Sequence, residues 1–556
     1  MSSPFLVAMD TDARRYVLGE NGRAAYRTTR WSLLDLFNRL VRDLPPHELD
    51  ALMAAALAEV GGAAARKKDL VVLLFSTRDA RGGKGERRLF LDMLFKIVDA
   101  YGHSLFVKLL PLVPHYGYWK DVVMICEMAI AKGKDEMAAA CVTMFKEQLL
   151  CDRHSASPSL AAKYAPREGS HNRSTFSRLA AVMGGKAAYR QLTASLNKTT
   201  TEVLMSGRRF RNIRFKSVPS KCLTQHRKAF LNEKLKQPPS EDEKWSGNRF
   251  PDNEDRVKAR QNLLALLGSK TERVKGGQLA PHELVGKLSE SSSSADLSVL
   301  NAQWASLRDD VVRRVAEGGW RLNPSRLVAL VDVSGSMAWK DSKKSVMPMD
   351  VAIALGILIS EIAHPAWQDR VLTFETSPRW VELKGTLSDK VATLKHAPWG
   401  GATDFDRAYR VILRAAEANK LTQEQMPESL IVFSDMQFNI ASCSSDTAFT
   451  TMREAFTEAG YKMPRMIFWN LRGAVAGFPV ERDEGETIML SGFSPSLMKT
   501  FLGGPIPPTP EEALRKLLDD ARYDPVRAAL AVAETPVADK EERSLPEEDF
   551  GLYDLD

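Results

Sequence analysis

The sequence has few of the features that fix a protein in a membrane or an oxidising compartment. Its five cysteines are scattered, odd in number and form no C-x-x-C pair, so a disulfide framework is not expected. No apolar run approaches the roughly 18 residues that a membrane span needs. The amino terminus lacks the basic head and apolar core of a secretory signal. We therefore expect a reduced, cytoplasmic protein that does not bind a membrane.

Residues arranged for catalysis are also scarce. With only nine histidines, no Ser-His-Asp or Cys-His arrangement can be proposed. The glycine-bearing turn at 78–88 does not match the phosphate-loop pattern G-x-x-x-x-G-K-[ST], and H-E-x-x-H is absent around His282, which is expected to be structural. A nuclease needs clustered carboxylates to hold metal and activate water, and no such cluster with a nearby base is evident. The chain is therefore not expected to be an enzyme.

Charge is distributed very unevenly. Residues 1–300 contain 48 Lys and Arg against 32 Asp and Glu, whereas residues 301–556 contain 29 against 38. The excess is greatest in residues 151–230, with 16 basic and three acidic side chains. A basic first half joined to an acidic second half suggests a polyanionic partner for the first.

The pattern of apolar residues divides the chain into four parts. Residues 1–29 are polar and predict an arm. Residues 30–320 show helical spacing without a strict repeat unit, which favours a HEAT-like stack of helical hairpins. Residues 321–505 alternate strand and helix, and this alternation predicts a doubly wound, Rossmann-like α/β domain. Residues 506–556 predict a helix followed by an acidic tail.

Three loops of the α/β part contain hydroxyl and carboxylate residues. The apolar run in LVALVDVSGSM and the run in SLIVFSDM each read as a buried strand ending in an aspartate, and the loop WGGATDF adds a threonine. A parallel sheet would bring these loops together, and hard oxygen donors suit Mg²⁺. The predicted ligands of Mg²⁺ or another divalent cation are Asp332, Ser334, Ser336, Thr403 and Asp435. The alternative is a set of small residues that only cap helices.

The basic part predicts a nucleic-acid interface. The segments KYAPREGSHNRSTFSR and RRFRNIRFK place cations among aromatic residues, the combination that binds the backbone and the unstacked bases of single-stranded RNA. A basic turn at 78–88 could also meet a phosphate. The predicted RNA-binding residues are Lys84, Arg87, Lys163, Arg167, His171, Arg173, Arg178, Arg208, Arg209, Arg211, Arg214 and Lys216. The alternative is a solvated basic surface without a ligand.

These motifs also carry a family resemblance. The order D-x-S-x-S, then T, then D resembles the metal-ion-dependent adhesion site (MIDAS) of von Willebrand factor A (vWA) domains, in which the first loop and the threonine hold Mg²⁺. The segments RDARGGKGER, YGYWKDV, KYAPREG, LAPHELV and SGFSPSLMK resemble the TROVE group of Ro-type ribonucleoproteins, and more closely proteins with a TROVE-like region before a vWA-like domain.

The resemblance implies a helical ring that binds small non-coding RNA on its outer surface and single-stranded RNA ends in its hole. The resemblance also implies that each of the five predicted metal ligands occupies the corresponding position of the MIDAS motif. The Arg208–Lys216 cluster and the segment Gln237–Arg256 have no clear Ro counterpart, so individual RNA contacts do not carry over.

Two functions remain open on the sequence. The first is an RNA-binding ribonucleoprotein in which the vWA domain, with its bound cation, is a scaffold. The second is a protein-interaction module without RNA, in which the cation binds a partner's carboxylate. The first predicts binding that is lost in salt, and the second predicts binding that is lost on chelation.

Overall fold

The structure is a computed structural model of the chain. It describes residues 15–18, 24–61, 63–198, 200–233, 248–291, 293–317, 326–338, 346–374, 378–396, 405–436, 448–498, 502 and 506–531. Within these residues, no helix has the length and apolar character that crossing a membrane requires.

A helical region precedes an α/β region, as the sequence predicts. Its described helices are α1 Ser32–Arg39, α2 Pro46–Val60, α3 Ala64–Arg78, α4 Arg87–Tyr101, α5 His103–Leu109, α6 Leu112–Tyr116, α7 Trp119–Ala131, α8 Asp135–His154, α9 Ala161–Tyr164, α10 Arg173–Val182, α11 Lys186–Leu196, α12 Thr201–Ser206, α13 Ser220–Phe230, α14 Glu254–Leu267, α15 Pro281–Leu288 and α16 Ser294–Glu317. The apolar run 69–77, whose composition also suits a strand, lies in α3 and is buried from Leu70 onward. This run forms a helix rather than a strand because neighbouring helices pack around it.

The α/β region is built on one twisted sheet. Its strands are β3 Leu327–Asp332, β4 Arg370–Phe374, β5 Trp380–Glu382, β6 Ser429–Ser434, β7 Arg465–Asn470 and β8 Thr487–Ser491, and its helices are α17 Pro348–Ile362, α18 Leu387–Lys395, α19 Phe405–Asn419 and α20 Ala448–Glu458. The strand order is β5-β4-β3-β6-β7-β8, with only β5 antiparallel to its neighbour. All residues of β3 and β6 are buried, as expected for central strands with helices on both faces.

The segment before α1 is more than a polar arm. Strands β1 Tyr16–Leu18 and β2 Ala24–Tyr26 form an antiparallel pair, and Tyr26 forms a β-bridge with Phe478 beyond β7. Arg15 donates from Nε to Glu481 at 3.0 Å. The described part of residues 1–29 therefore packs on the α/β region, and the prediction of an arm is corrected for it.

The end of the chain returns to the helical region. Helices α21 Pro510–Leu518 and α22 Asp524–Ala531 follow the sheet. Between them, the buried Tyr523 stacks near Tyr116 with ring centroids 5.6 Å apart, and Arg522 pairs with the buried Asp79. The predicted carboxyl-terminal helix is thus a pair of helices that joins both halves of the molecule. The acidic tail lies outside the described residues.

A smaller apolar core lies within the basic part of the helical region. Phe210, Phe215 and Phe230 pack there, separately from the main core, with Leu263 of α14 and Val299 of α16. This second core organises the basic segment into a folded unit.

Candidate metal centre and nucleic-acid interface

Four of the five predicted metal ligands, Asp332, Ser334, Ser336 and Asp435, lie near the point where the strand order of the sheet reverses. From β3 the chain continues to β4 on one side and later to β6 on the other, so the carboxyl ends of β3 and β6 flank a crevice, the usual ligand position of an open α/β sheet. Asp332 ends β3 and Asp435 follows β6, and both carboxylates are fully buried. The hydroxyl of Ser434 donates to Asp332 Oδ2 at 2.6 Å. The topology thus places both aspartates where the sequence predicts them.

The loop after β3 arranges its hydroxyl groups next to Asp332. The backbone N–H of Ser334 donates to Asp332 Oδ1 at 2.9 Å, and the hydroxyl oxygens of Ser334 and Ser336 lie 3.0 Å apart. Neighbouring ligands of an octahedral Mg²⁺ with bonds of about 2.1 Å are separated by about 3.0 Å. The spacing of the two hydroxyls therefore fits adjacent positions around such an ion.

The electrostatics of the crevice also suit a cation. Burial, and secondly the negative charge of Asp435, raise the pKa of Asp332 well above its usual range. A basic group also lies near Asp435, since Nη1 of Arg472 is 3.9 Å from Asp435 Oδ2. Two buried carboxylates so close together repel each other, and a divalent cation between them would relieve that repulsion. The donor set therefore fits a hard cation.

One predicted ligand cannot be placed. Thr403 lies outside the described residues, so its part in the site stays a prediction. Among the described residues, no group of three or more His, Cys, Asp and Glu side chains forms a metal-binding cluster. Any site at the crevice therefore depends on hydroxyl oxygens as well as on the two aspartates. Ser434, which the sequence analysis did not assign to the site, becomes part of it through the register of β6 against β3.

The predicted RNA-binding residues fall into three groups. The residues of the first group are exposed and have no acidic partner among the described residues. They are Arg167, His171, Arg173, Arg208, Arg209 and Arg214. These side chains are available to an anionic ligand.

Members of the second group are partly or fully exposed but already lie near a carboxylate. Lys163 lies 2.8 Å from Glu202, and Arg178 lies 2.7 Å from Asp135. The remaining pairs are Arg87 with the buried Asp121 at 2.5 Å, Arg211 with Asp255 at 3.5 Å, and Lys216 with Glu272 at 2.7 Å. Exposed pairs of this kind are weak, so all but Arg87 can exchange a carboxylate for a phosphate at little cost.

Lys84 forms the third group and requires a correction. Its side chain is buried, and Nζ donates to Leu40 O at 3.1 Å, to Phe37 O and to Ser491 Oγ at 2.5 Å. Desolvation lowers the pKa of Lys84 well below its usual range. Since the ammonium lies between α1 and the end of β8, it cannot contact RNA and instead links the helical and α/β regions.

The aromatic residues of the basic segments also require a correction. Phe176, Phe210 and Phe215 are 2%, 6% and 3% exposed, so they belong to the apolar cores and cannot stack with bases. Tyr164 is partly exposed, with its ring centroid 6.3 Å from that of Tyr118. Cations and rings therefore alternate in these segments because the rings face the core and the cations face solvent. Only the cations remain as candidates for contact with RNA.

The other motifs at 78–88 and 115–122 are structural. Asp121 is fully buried, lies 2.6 Å from Arg78 Nη2 and accepts a hydrogen bond from the N–H of Tyr118 at 2.8 Å. Asp79 accepts hydrogen bonds from the N–H groups of Arg81 and Gly82, both at 3.0 Å. These buried carboxylates hold α3, α4 and α7 together, and no phosphate loop is formed.

Two family models match the chain. A domain of unknown function, DUF2828, matches residues 19–158, and a second, DUF7788, matches residues 326–539. The chain is also similar to "Uncharacterized protein L728" of Acanthamoeba polyphaga mimivirus, with 30% identity over 511 residues that cover 87% of this chain and 84% of that protein. The likeness extends across both the helical and the α/β region.

Among solved structures, the chain is similar to the Ro (RSR) protein of Deinococcus radiodurans. The match has a TM-score of 0.31 and 14% sequence identity, and it covers 86% of this chain and 100% of that one. A score this low does not establish a shared fold.

Proposed function

This chain belongs to the same family as the mimivirus protein L728, and we propose that it is an RNA-binding protein. In this proposal, the basic face of the helical region binds single-stranded RNA or a small non-coding RNA. The observation that carries the proposal is the set of exposed arginines in residues 163–216 that have no acidic partner among the described residues. Such side chains release counterions when they meet phosphates, which makes binding favourable and dependent on salt.

The resemblance of the sequence to Ro-type ribonucleoproteins supports the same kind of ligand. It adds the expectation that the RNA is small, structured and non-coding, or is a single-stranded end. The vWA domain is then a scaffold whose shape depends on its cation.

The salt dependence of RNA binding tests this proposal. We expect Arg208→Ala, Arg209→Ala and Arg214→Ala together to lower the affinity for single-stranded RNA about tenfold. They should also reduce the slope of log affinity against log salt by about 2, because each contact with a single strand contributes roughly 0.7. Fluorescence anisotropy with labelled RNA between about 50 and 200 mM salt measures both quantities.

A matched control separates local contacts from net charge. Arg370, Lys384 and Lys420 are exposed cations of the α/β region, and their combined replacement by alanine changes the net charge equally. The control should leave the slope unchanged. Equal slopes for the wild-type protein and the Arg208, Arg209 and Arg214 variant would contradict the proposed interface.

We also propose that the crevice between β3 and β6 binds Mg²⁺ or another divalent cation. Asp332, Ser334, Ser336 and Asp435 would hold the ion, with Thr403 as a further ligand. The ion would supply positive charge that neutralises the two buried aspartates.

A second candidate function is favoured by one feature of this crevice. Ser336 is exposed, whereas Asp332 and Asp435 are fully buried, so the site opens towards solvent on the side of the loop after β3. A carboxylate of a partner protein could complete the coordination of the cation there. Chelation by EDTA discriminates the functions, because it would abolish binding of such a partner but leave RNA binding largely unchanged.

A further inference from the structure

A cleft of about 640 Å³ opens in the basic part of the helical region, a volume typical of sites for small ligands. It lies between the end of α13, the start of α14 and the end of α15. The residues that matter for its chemistry are His226, Lys228, Glu233, Arg249, Phe250 and Arg256. None of them belongs to the RNA-binding set that the sequence predicted.

Two guanidinium groups that line the cleft lie next to aromatic rings, of which Phe250 lines the cleft and Phe210 belongs to the core behind it. The guanidinium carbon of Arg256 lies 4.1 Å from the ring centroid of Phe210 and 5.4 Å from that of Phe250. The guanidinium carbon of Arg249 lies 5.1 Å from the centroid of Phe250. Phe210 is buried, but Phe250 is 43% exposed. This large exposed ring, flanked by two planar cations, offers the kind of surface on which an unstacked base lies.

The charge of the cleft is positive on the side of Phe250. Arg249 has no acidic partner among the described residues, and Lys228 Nζ donates only to a backbone carbonyl, that of Glu290, at 2.6 Å. Burial, and secondly the proximity of Arg249, lower the pKa of Arg256. Two arginines held this close repel each other, so an anion between them would be stabilised.

Four buried polar atoms of the lining residues have no hydrogen-bond partner among the described residues. Two of them, Nε and Nη2, belong to Arg227, whose guanidinium forms an ion pair with the buried Asp296 at 2.6 Å. The other two are Nε of Arg256, a donor, and Oε2 of Glu233, an acceptor. Glu233 is only 5% exposed, and its Oε1 accepts from Ser293 at 2.5 Å. Buried polar atoms are almost always satisfied in native proteins. An unmatched donor and acceptor in one cleft therefore point to a ligand that supplies both partners.

We propose that this cleft binds one nucleotide of a single-stranded RNA. The base stacks against Phe250, an N–H on its edge donates to Glu233, and the phosphate lies near Arg249 and Lys228. This inference rests on the proposed RNA-binding function and deepens it, since it adds a site that recognises a base to a surface that recognises charge.

The test compares two exposed aromatic residues in the full-length chain. Phe250 and Trp380 are 43% and 44% exposed, and Trp380 lies on β5, in the α/β region. Fluorescence anisotropy is measured with a labelled single-stranded RNA of mixed sequence and with an abasic strand of the same length. We expect Phe250→Ala to weaken binding of the RNA roughly 5- to 150-fold, the usual effect of losing one stacked base. Binding of the abasic strand should not change, and Trp380→Ala should affect neither strand.

A second variant tests the phosphate contact. Arg249→Ala should weaken binding of both strands, because both carry phosphates. The inference is overturned if Phe250→Ala binds RNA as well as Trp380→Ala does, or if it weakens the RNA and the abasic strand equally. A wild-type protein that binds neither strand at low salt would instead overturn the proposed function itself.

Discussion

The two halves of this protein use charged side chains in opposite ways. In the α/β region, the carboxylates of Asp332 and Asp435 are fully buried at one edge of the sheet, and hydroxyl groups surround Asp332. In the helical region, cations such as Arg208 and Arg209 lie exposed, without an acidic partner among the described residues. A buried acidic pair suits a compact ion held in fixed geometry. An exposed basic face suits a long, flexible polyanion. This difference supports the proposal that each half binds a ligand of its own.

Several charged residues of the helical region, including Asp79, Asp121 and Lys84, are buried and do not follow this difference. Lys84 tests it most directly, because it was predicted to bind RNA. It belongs to the helical region, yet it is buried like the aspartates of the α/β region. We expect Lys84→Met to lower the free energy of unfolding by roughly 3 kcal/mol, because the buried carbonyls of Phe37 and Leu40 lose their hydrogen-bond donor. Urea denaturation followed by circular dichroism measures this loss.

Lys186→Met is the matched control for that experiment. Lys186 is exposed and pairs with Glu168 at the surface, where an ion pair contributes little to stability. If Lys84→Met were as stable as this control but bound RNA less well, then Lys84 would belong to the RNA-binding face and the correction made here would fail.

Loss of the cation site should separate the functions of the two halves. If the proposed site binds Mg²⁺, a Mg²⁺ concentration of 100 times the dissociation constant should stabilise the wild-type protein by about 2.7 kcal/mol. Asp332→Ala should abolish this gain, because it removes the carboxylate nearest to the two hydroxyls. Thermal unfolding with and without Mg²⁺ provides the measurement, and RNA affinity should stay within a factor of about two.

Asp389→Ala serves as the control for Asp332→Ala. Asp389 caps α18 through Thr386, with two contacts of 2.8 Å, so its loss should lower stability without changing the response to Mg²⁺. A large drop in RNA affinity in a folded Asp332→Ala protein would show that the two halves act together.

The contact between the two halves should depend on pH through His282. This residue of α15 is buried against Phe493, which follows β8, with ring centroids 5.3 Å apart. Burial, and then the charges of Arg42 and Lys221, lower the pKa of His282 well below 6.5. The unfolded chain binds a proton below about pH 6.5 and the folded one does not, so stability falls as the pH falls. As the pH falls from 6.5 to 5, this group lowers the free energy of unfolding by about 2 kcal/mol.

Replacing His282 should remove this part of the acid sensitivity. Between pH 6.5 and 5, the free energy of unfolding of His282→Leu and of His282→Phe should fall by about 2 kcal/mol less than that of the wild-type protein. Urea denaturation at each pH measures this difference. Because Leu and Phe differ in size, an effect of packing should differ between the two variants, whereas the loss of the titrating group is the same in both. The same pH dependence in all three proteins would rule out His282 as the source.

The sequence was sufficient to predict where Asp332 and Asp435 lie, because the topology of the sheet determines their position. A buried strand that ends in an aspartate places that aspartate at the carboxyl edge of a parallel sheet, whatever the details of packing. Strand β8 was nonetheless missed, because the described connection from β7 contains no helix and breaks the alternation on which the prediction relied.

The exposure of the basic and aromatic residues was harder to predict, because local composition does not tell which side of a helix or turn faces solvent. Lys84 and Arg208 both lie in glycine-bearing basic segments, yet one is buried and the other exposed. Phe210 and Phe215 alternate with arginines because the rings fill the second core, not because they meet bases. Arg249 and Phe250 were passed over as part of a polar insertion, since only folding brings them beside Arg256.

The proposed RNA-binding function is tested most directly by purifying the full-length protein from cells without nuclease treatment and sequencing any nucleic acid that accompanies it. We expect a defined set of small RNAs, which high salt releases and chelation does not. A protein that is free of nucleic acid, and that ignores added single-stranded RNA at low salt, would contradict the proposed function.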